Sequence, residues 1–177
     1  MHAWRHARTT GSRGQSLVET ALVLPILLLL MLGLLDLGRG AYAYVAIGDA
    51  ARAGTRTAIV NQYEAAIRQR AGDQATSLDI DTATATSNTS CPKSSGGLPN
   101  LMTPLGATGV CVQYLDTLGE DVCASGAGVE CVAVVTVKYT FTPMTPLIGL
   151  ITGPIRLVQR AQQPVESVCT SATCPVP

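Results

Sequence analysis

The residues of this chain whose types and spacing could do chemistry are few. Glu19 stands at the mouth of a long apolar run, five residues after Gly14, and six cysteines follow that run: Cys91, Cys111, Cys123, Cys131, Cys169 and Cys174. A carboxylate at the edge of hydrocarbon is costly unless a cation or a hydrogen-bond donor meets it, so Glu19 calls for a partner. The other reading of Glu19 is a first-turn residue favoured by the helix dipole and wetted by lipid headgroups. Thiols in even number, all on one side of an apolar segment, suit disulfides formed in an oxidising compartment. Sequence proximity favours Cys169 with Cys174 and Cys123 with Cys131, and leaves the remaining connectivity open. A zinc site has little to draw on, because no C-x-x-C pair exists and both histidines, His2 and His6, lie at the extreme N-terminus. The same histidine placement leaves a serine or cysteine nucleophile without its usual base. No G-x-S-x-G elbow or glycine-rich phosphate loop occurs. Asp79 and Asp81 share one side of an alternating segment and read as solvated edge charges. No enzyme, cofactor or metal is expected.

The elements that must position these residues begin with the apolar run itself. Between Ala21 and Leu35 no residue is charged, and the wider window from Leu17 to Gly38 holds only Glu19 and Asp36. As a helix that window is about 33 Å long, enough to cross a hydrocarbon core of about 30 Å. Arg5, Arg8 and Arg13 precede it with no acidic residue among them, which places the N-terminus in the cytoplasm and the remainder outside. A buried core helix fits poorly, since the leucines from Leu27 to Leu30 leave no polar side. A cleaved secretory signal fits poorly too, because its only small-x-small site, Ala41-Tyr42-Ala43, lies beyond Asp36 and Arg39. The formal net charge of +0 argues against a nucleic-acid partner.

Helical composition continues to about Val60. Ala46, Ala50, Gly54 and Ala58 recur every fourth residue and form a smooth stripe that lets another backbone approach closely, with Arg52 and Arg56 on an adjoining solvated face. Asn61 and Glu64 have capping-box spacing and Gly72 can act as a stop, which predicts a second helix over 62–71. Beyond Gly72 the period changes to two. Strands are predicted over 78–86, 110–115, 129–142 and 155–161, separated by a Ser/Thr/Pro/Gly-rich loop over 87–109 and followed by an irregular tail. The expected organisation is a basic cytoplasmic leader (1–14), a transmembrane helix (15–38), a helical stem (39–72), an extracytoplasmic head (73–166) and a cysteine-containing tail (167–177). The fold class is α+β: a long N-terminal helix packed on a small antiparallel sheet of about four strands.

Gly14, Gln15, Ser16, Leu17, Val18 and Glu19, after a basic leader and before an apolar helix, resemble the cleavage motif of type IV pilin-like proteins. "GQSLVETALVLPILLLLMLGLLDLGR" with "DAARAGTRTA" resembles the TadE-like family, pilin-like proteins of the Tad (tight adherence) pilus machinery, and "VECVAVVTVKYTF" with "GPIRLVQRAQQPVE" is more loosely similar to its C-terminal region. Where many pilin-like sequences carry an aromatic after the glutamate, this chain has Thr20. The resemblance implies a prepilin peptidase that cuts after Gly14, freeing an α-amine on Gln15 one helical turn from Glu19. It implies partners in other Tad pilin-like subunits, assembly-platform proteins and the lipid bilayer. It also implies a subunit of the bacterial cytoplasmic membrane acting in pilus assembly and adherence. From a different class, the sequence also accommodates an unprocessed signal-anchored binding module or a secreted adhesin. If the head lies outside the cytoplasm, protein taken from its native location should resist thiol labelling until reductant is added, and reduction should then cost about 2–4 kcal/mol of head stability per bridge. Six thiols reactive without reductant would overturn that placement.

Overall fold

The computed structural model of the chain describes residues 12–82, 109–115 and 130–169. Helix α1 runs over Ser12–Ala58, 47 residues and about 70 Å long. Pro25 lies inside it without ending it. Proline has no N–H, so the Ala21 carbonyl forgoes its helical bond there. The two halves of α1 meet different surroundings. From Leu17 to Leu37 the large apolar side chains are exposed all round, whereas from Ala43 onward one face is buried through Ala43, Ile47, Ala50, Ala51 and Ala58.

That buried face packs on α2 (Glu64–Gln74) and on a sheet of three antiparallel strands, β1 (Gly109–Leu115), β2 (Val132–Phe141) and β3 (Ile155–Pro164), in the order β1-β2-β3. A short helix, α3 (Pro146–Thr152), joins β2 to β3. Pairing sets Val110 against Val137 and Leu115 against Val132 on one side of β2, and Val135 against Ala161 and Phe141 against Ile155 on the other. β2 is central and rich in valine, a residue whose branched side chain suits a pleated surface packed on both sides. Accordingly Ala133, Val135 and Val137 join Ile47, Ala50, Ile67 and Ala71 in the core, while Val134 and Thr136 are buried on the opposite face.

Contact between α1 and the sheet depends on small residues. A Cβ at Gly54 would stand 3.0 Å from Val135 Cγ1 and 3.3 Å from Ala71 Cβ, so the backbone of α1 approaches both neighbours at this point. After β3 the chain is tied back to the end of α1. The N–H groups of Glu166 and Ser167 donate to the Ile59 carbonyl, and Gln62 exchanges backbone bonds and side-chain bonds with Ser167 and Cys169.

Three features differ from the expectations drawn from sequence. The sheet has three strands among the described residues, not about four, because residues 78–82 form no ladder; residues 83–86 of that expected strand lie outside the described residues. Ile80 is buried and Leu78 partly so, which satisfies the alternating pattern, but the Ile80 N–H turns back to the Leu78 carbonyl at 2.9 Å. Alternation records burial and not hydrogen bonding. The second helix begins and ends later than 62–71. Asn61 Oδ1 accepts the Tyr63 N–H at 2.8 Å and holds an extra turn before it, and Gly72 lies within the helix. Thr82 explains that glycine, since its Cγ2 would be 2.4 Å from a Cβ there. Finally, α3 occupies a stretch given no element, although proline at its start and Gly153 at φ 62 just past its end are ordinary start and stop signals.

Gly54→Leu should drive α1 off Val135 and Ala71 and lower stability by about 1–3 kcal/mol, measured by urea unfolding of the detergent-solubilised protein, while Gly38→Leu, where nothing lies within 4 Å of a Cβ, should change it little.

Candidate functional site: the membrane helix and its neck

Gly14, Gln15 and Glu19 all lie on α1 and all are exposed. A Cβ at Gly14 would meet nothing within 4 Å. Gln15 and Glu19 are four residues apart on one helix, so they share a face one turn apart. Thr20 donates its hydroxyl to the Ser16 carbonyl at 2.9 Å, a local bond on the flank of the same turn. Arg5 and Arg8 lie outside the described residues. From this turn onward α1 is long and apolar enough to cross a membrane, and no part of its most apolar window is buried within the chain.

At the far end of the apolar run the helix meets the head, and Asp36 is the meeting point. This carboxylate is only 5% exposed. Oδ1 accepts the Met144 N–H at 3.0 Å and Oδ2 accepts the Thr145 N–H at 2.8 Å. Arg39, half-exposed one turn along, brings Nη1 to 3.6 Å from Oδ1 and lies over the Phe141 ring, 5.7 Å from its centroid. Both carboxylate oxygens therefore bind the backbone that leads into α3. Glycines flank the contact: Gly33 faces the Ile148 side chain and Gly40 faces Phe141. An apolar groove of about 340 Å³ opens here, lined by Gly33, Leu37, Gly40, Phe141, Ile148 and Leu157. On the other flank of α1 a second groove, about 500 Å³, is lined by Leu34, Gly38, Tyr42, Leu78 and Tyr139. Tyr42 crosses its rim to share a 2.9 Å hydrogen bond with Ser77.

The small-residue stripe is placed inside the head. Ala50, Gly54 and Ala58 are buried against α2 and the sheet, and Ala46 is partly exposed at the end of the stripe nearer the apolar run. Arg52 is exposed and pairs with Asp49 at 2.9 Å. Cys111, Cys131 and Cys169 are disulfide-bonded. Cys111 lies opposite Thr136, and Cys131 is five residues back along that chain, about 16 Å away at ~3.3 Å per residue, so these two are not bonded to each other. Cys123 and Cys174, the suggested partners of Cys131 and Cys169, lie outside the described residues.

Asp36 is the functional residue that sequence reasoning left without a role. Its signal was present, since a lone carboxylate inside an apolar helix implies a specific partner; the partner, about a hundred residues later, was not readable.

Residues 14–56, the greater part of α1, match the family described as TadE-like protein. The N-terminal region is thus similar to TadE-like proteins. That match ends just short of Ala58 and does not take in residues 129–166, where the resemblance read from sequence was looser. Neither the curated proteins nor the solved structures provide a match. One N-terminal apolar helix is consistent with a membrane-anchored protein.

Asp36→Ala removes the acceptor of two backbone N–H groups, and hydrogen bonds to a charged group contribute about 1.5–3 kcal/mol each. The amides of Met144 and Thr145 should then exchange with deuterium at least about tenfold faster in detergent, read by mass spectrometry. Unchanged exchange there would show that Asp36 does not hold the connector.

Proposed function

We propose that this protein is a pilin-like minor subunit of a Tad-type pilus or secretion apparatus, a substrate of a prepilin peptidase and not itself an enzyme. The observation that carries this reading is the TadE-like match across the helix on which Gly14, Gln15 and Glu19 stand exposed in consecutive turns.

The physical sequence of events follows from that helix. Gly14 lies in the first turn of α1, where N–H groups lack helical partners and the helix frays most readily. Glycine adds to this, because it is about 1 kcal/mol less favourable than alanine in a helix. The peptide bond after Gly14 can thus open into the extended form a protease needs. Hydrolysis converts the Gly14–Gln15 amide to a Gly14 carboxylate, which leaves with the basic leader, and a Gln15 α-ammonium. That cation, on the same chain or a neighbouring one, pairs with Glu19 and offsets the cost of its charge at the hydrocarbon edge. Until assembly the apolar part of α1 anchors the subunit in the cytoplasmic membrane, with the leader inside and the head outside. Assembly is then a matter of packing among Tad pilin-like subunits and assembly-platform proteins, and adherence is its outcome.

In this reading the mature N-terminus, determined by mass spectrometry, is Gln15. An intact leader would indicate an unprocessed anchored binding module, and a terminus near Tyr44 a secreted adhesin. Gly14→Leu should leave a longer, membrane-held protein. Glu19→Ala should still be cut, should insert at least as well, and should fail to co-assemble; Glu19→Gln, which keeps shape but not charge, should fail likewise. Normal assembly of Glu19→Ala would remove the carboxylate from the mechanism.

A further inference from the structure

The β2–β3 connector has a surface that the pilus reading does not use. Met144, Leu150 and Ile151 are 76%, 85% and 77% exposed, each more than Leu17 on the membrane helix at 73%. From Thr142 to Pro154 the sequence TPMTPLIGLITGP carries no charge. A soluble loop with such a tip would be an unfavourable patch, so its surroundings decide what it is for.

Those surroundings are set by how the sheet lies along α1. Val135 of β2 touches α1 at Gly54, Phe141 at the end of β2 touches it at Gly40, the connector backbone binds Asp36, and Ile148 of α3 reaches Gly33. The hairpin therefore descends α1 toward the apolar run, and α3 packs about 4.5 Å beyond Asp36 on the membrane side at ~1.5 Å per residue. Arg39, Tyr42 and Tyr44, all substantially exposed, lie on α1 on the head side of Asp36. Arginine and tyrosine side chains of this kind belong at the level of lipid headgroups. The tip lies deeper than that belt, beside helix surface that is apolar on every side.

We propose that α3 is a second membrane contact: the β2–β3 tip inserts into the head-side leaflet beside α1, with Met144, Leu150 and Ile151 against acyl chains. The groove bounded by Gly33, Leu37, Ile148 and Leu157 is open to the same chains. The occupant is lipid because the exposed tip is continuous with the apolar band of α1 and its residues from Thr142 to Pro154 carry no charge that would specify a polar partner. Insertion also accounts for Asp36. A carboxylate at this depth is tolerated because two backbone donors and Arg39 surround it, and those donors are supplied by the inserted connector itself. The proposal requires α1 to span a bilayer and is independent of cleavage after Gly14 and of any role in a pilus.

The test uses tryptophan fluorescence of the full chain in phosphatidylcholine–phosphatidylglycerol vesicles, with lipids brominated either near the headgroup or deep in the acyl chain, on a Trp4→Phe background. Leu150→Trp, and separately Ile151→Trp, should emit at short wavelength and lose most of their emission to shallow bromines. Leu29→Trp, within α1, should be quenched by deep bromines, and Gln163→Trp, at the far end of β3, by neither. Tip probes that emit like Gln163→Trp, unquenched, overturn the proposal. Tip probes that emit at short wavelength yet escape quenching overturn it in favour of a protein partner or second copy covering the tip. Loss of quenching at Leu29→Trp as well would show that α1 is not in the bilayer, and the proposal falls with it. Processing is read separately from the mature N-terminus.

Discussion

A single unbroken helix has to satisfy two solvents, and the rest of the molecule is arranged around how α1 does so. Over its first half the side chains are apolar in every direction, which suits hydrocarbon, where only a helix can satisfy its own backbone without water. Over its second half one face must be buried against protein and the other wetted. Small residues meet the first requirement: Ala50, Gly54 and Ala58 let β2 and α2 come close enough for Val135 and Ile67 to fill the space. Arg52 and Arg56, both exposed, meet the second. Since the helix continues across the boundary, the head hangs from its side, and the sheet runs along it instead of capping it.

Side-on attachment creates the problem that Asp36 resolves. A sheet descending the helix ends its hairpin beside the apolar run of α1, where the turn's backbone N–H groups need acceptors. Asp36 supplies both acceptors, and the connector in return shields a carboxylate that would be costly alone. Arg39, on the next turn, adds a cation that also rests on Phe141. The glycines on either side, Gly33 and Gly40, face Ile148 and Phe141, each 3.7 Å from where a Cβ would stand, an ordinary van der Waals distance. The other end of the head is closed by Gln62, whose amide ties the segment after β3 to the end of α1. The TadE-like match covers the helix alone. The head meets that helix through contacts a local motif cannot describe.

Much was legible in the sequence, and the physical reason is locality. Charge-free length identifies a helix long and apolar enough to cross a membrane because each residue's transfer into hydrocarbon is nearly independent of the others. Period two identifies β1, β2 and β3 because alternation on a half-buried sheet is set residue by residue. That Gly14 and Glu19 lie on one helix was readable because they are five residues apart in an uninterrupted helical stretch. The same reasoning erred where a local pattern has more than one tertiary outcome. Leu78 and Ile80 alternate as a strand does, yet are buried without a ladder. Gly72 reads as a stop and instead makes room for Thr82.

What the sequence by itself determined is therefore the helix, its apolar band and the α+β class, all consequences of short-range composition and spacing. Only the tertiary structure decided that the stripe of small residues faces this chain's own sheet, that the strands number three among the described residues, and that Asp36 holds the connector at Met144 and Thr145. Those outcomes depend on which distant segments meet. A carboxylate in an apolar helix announces that it needs donors, but the donors are chosen by the descent of β2 along α1, and no neighbouring residue encodes that path.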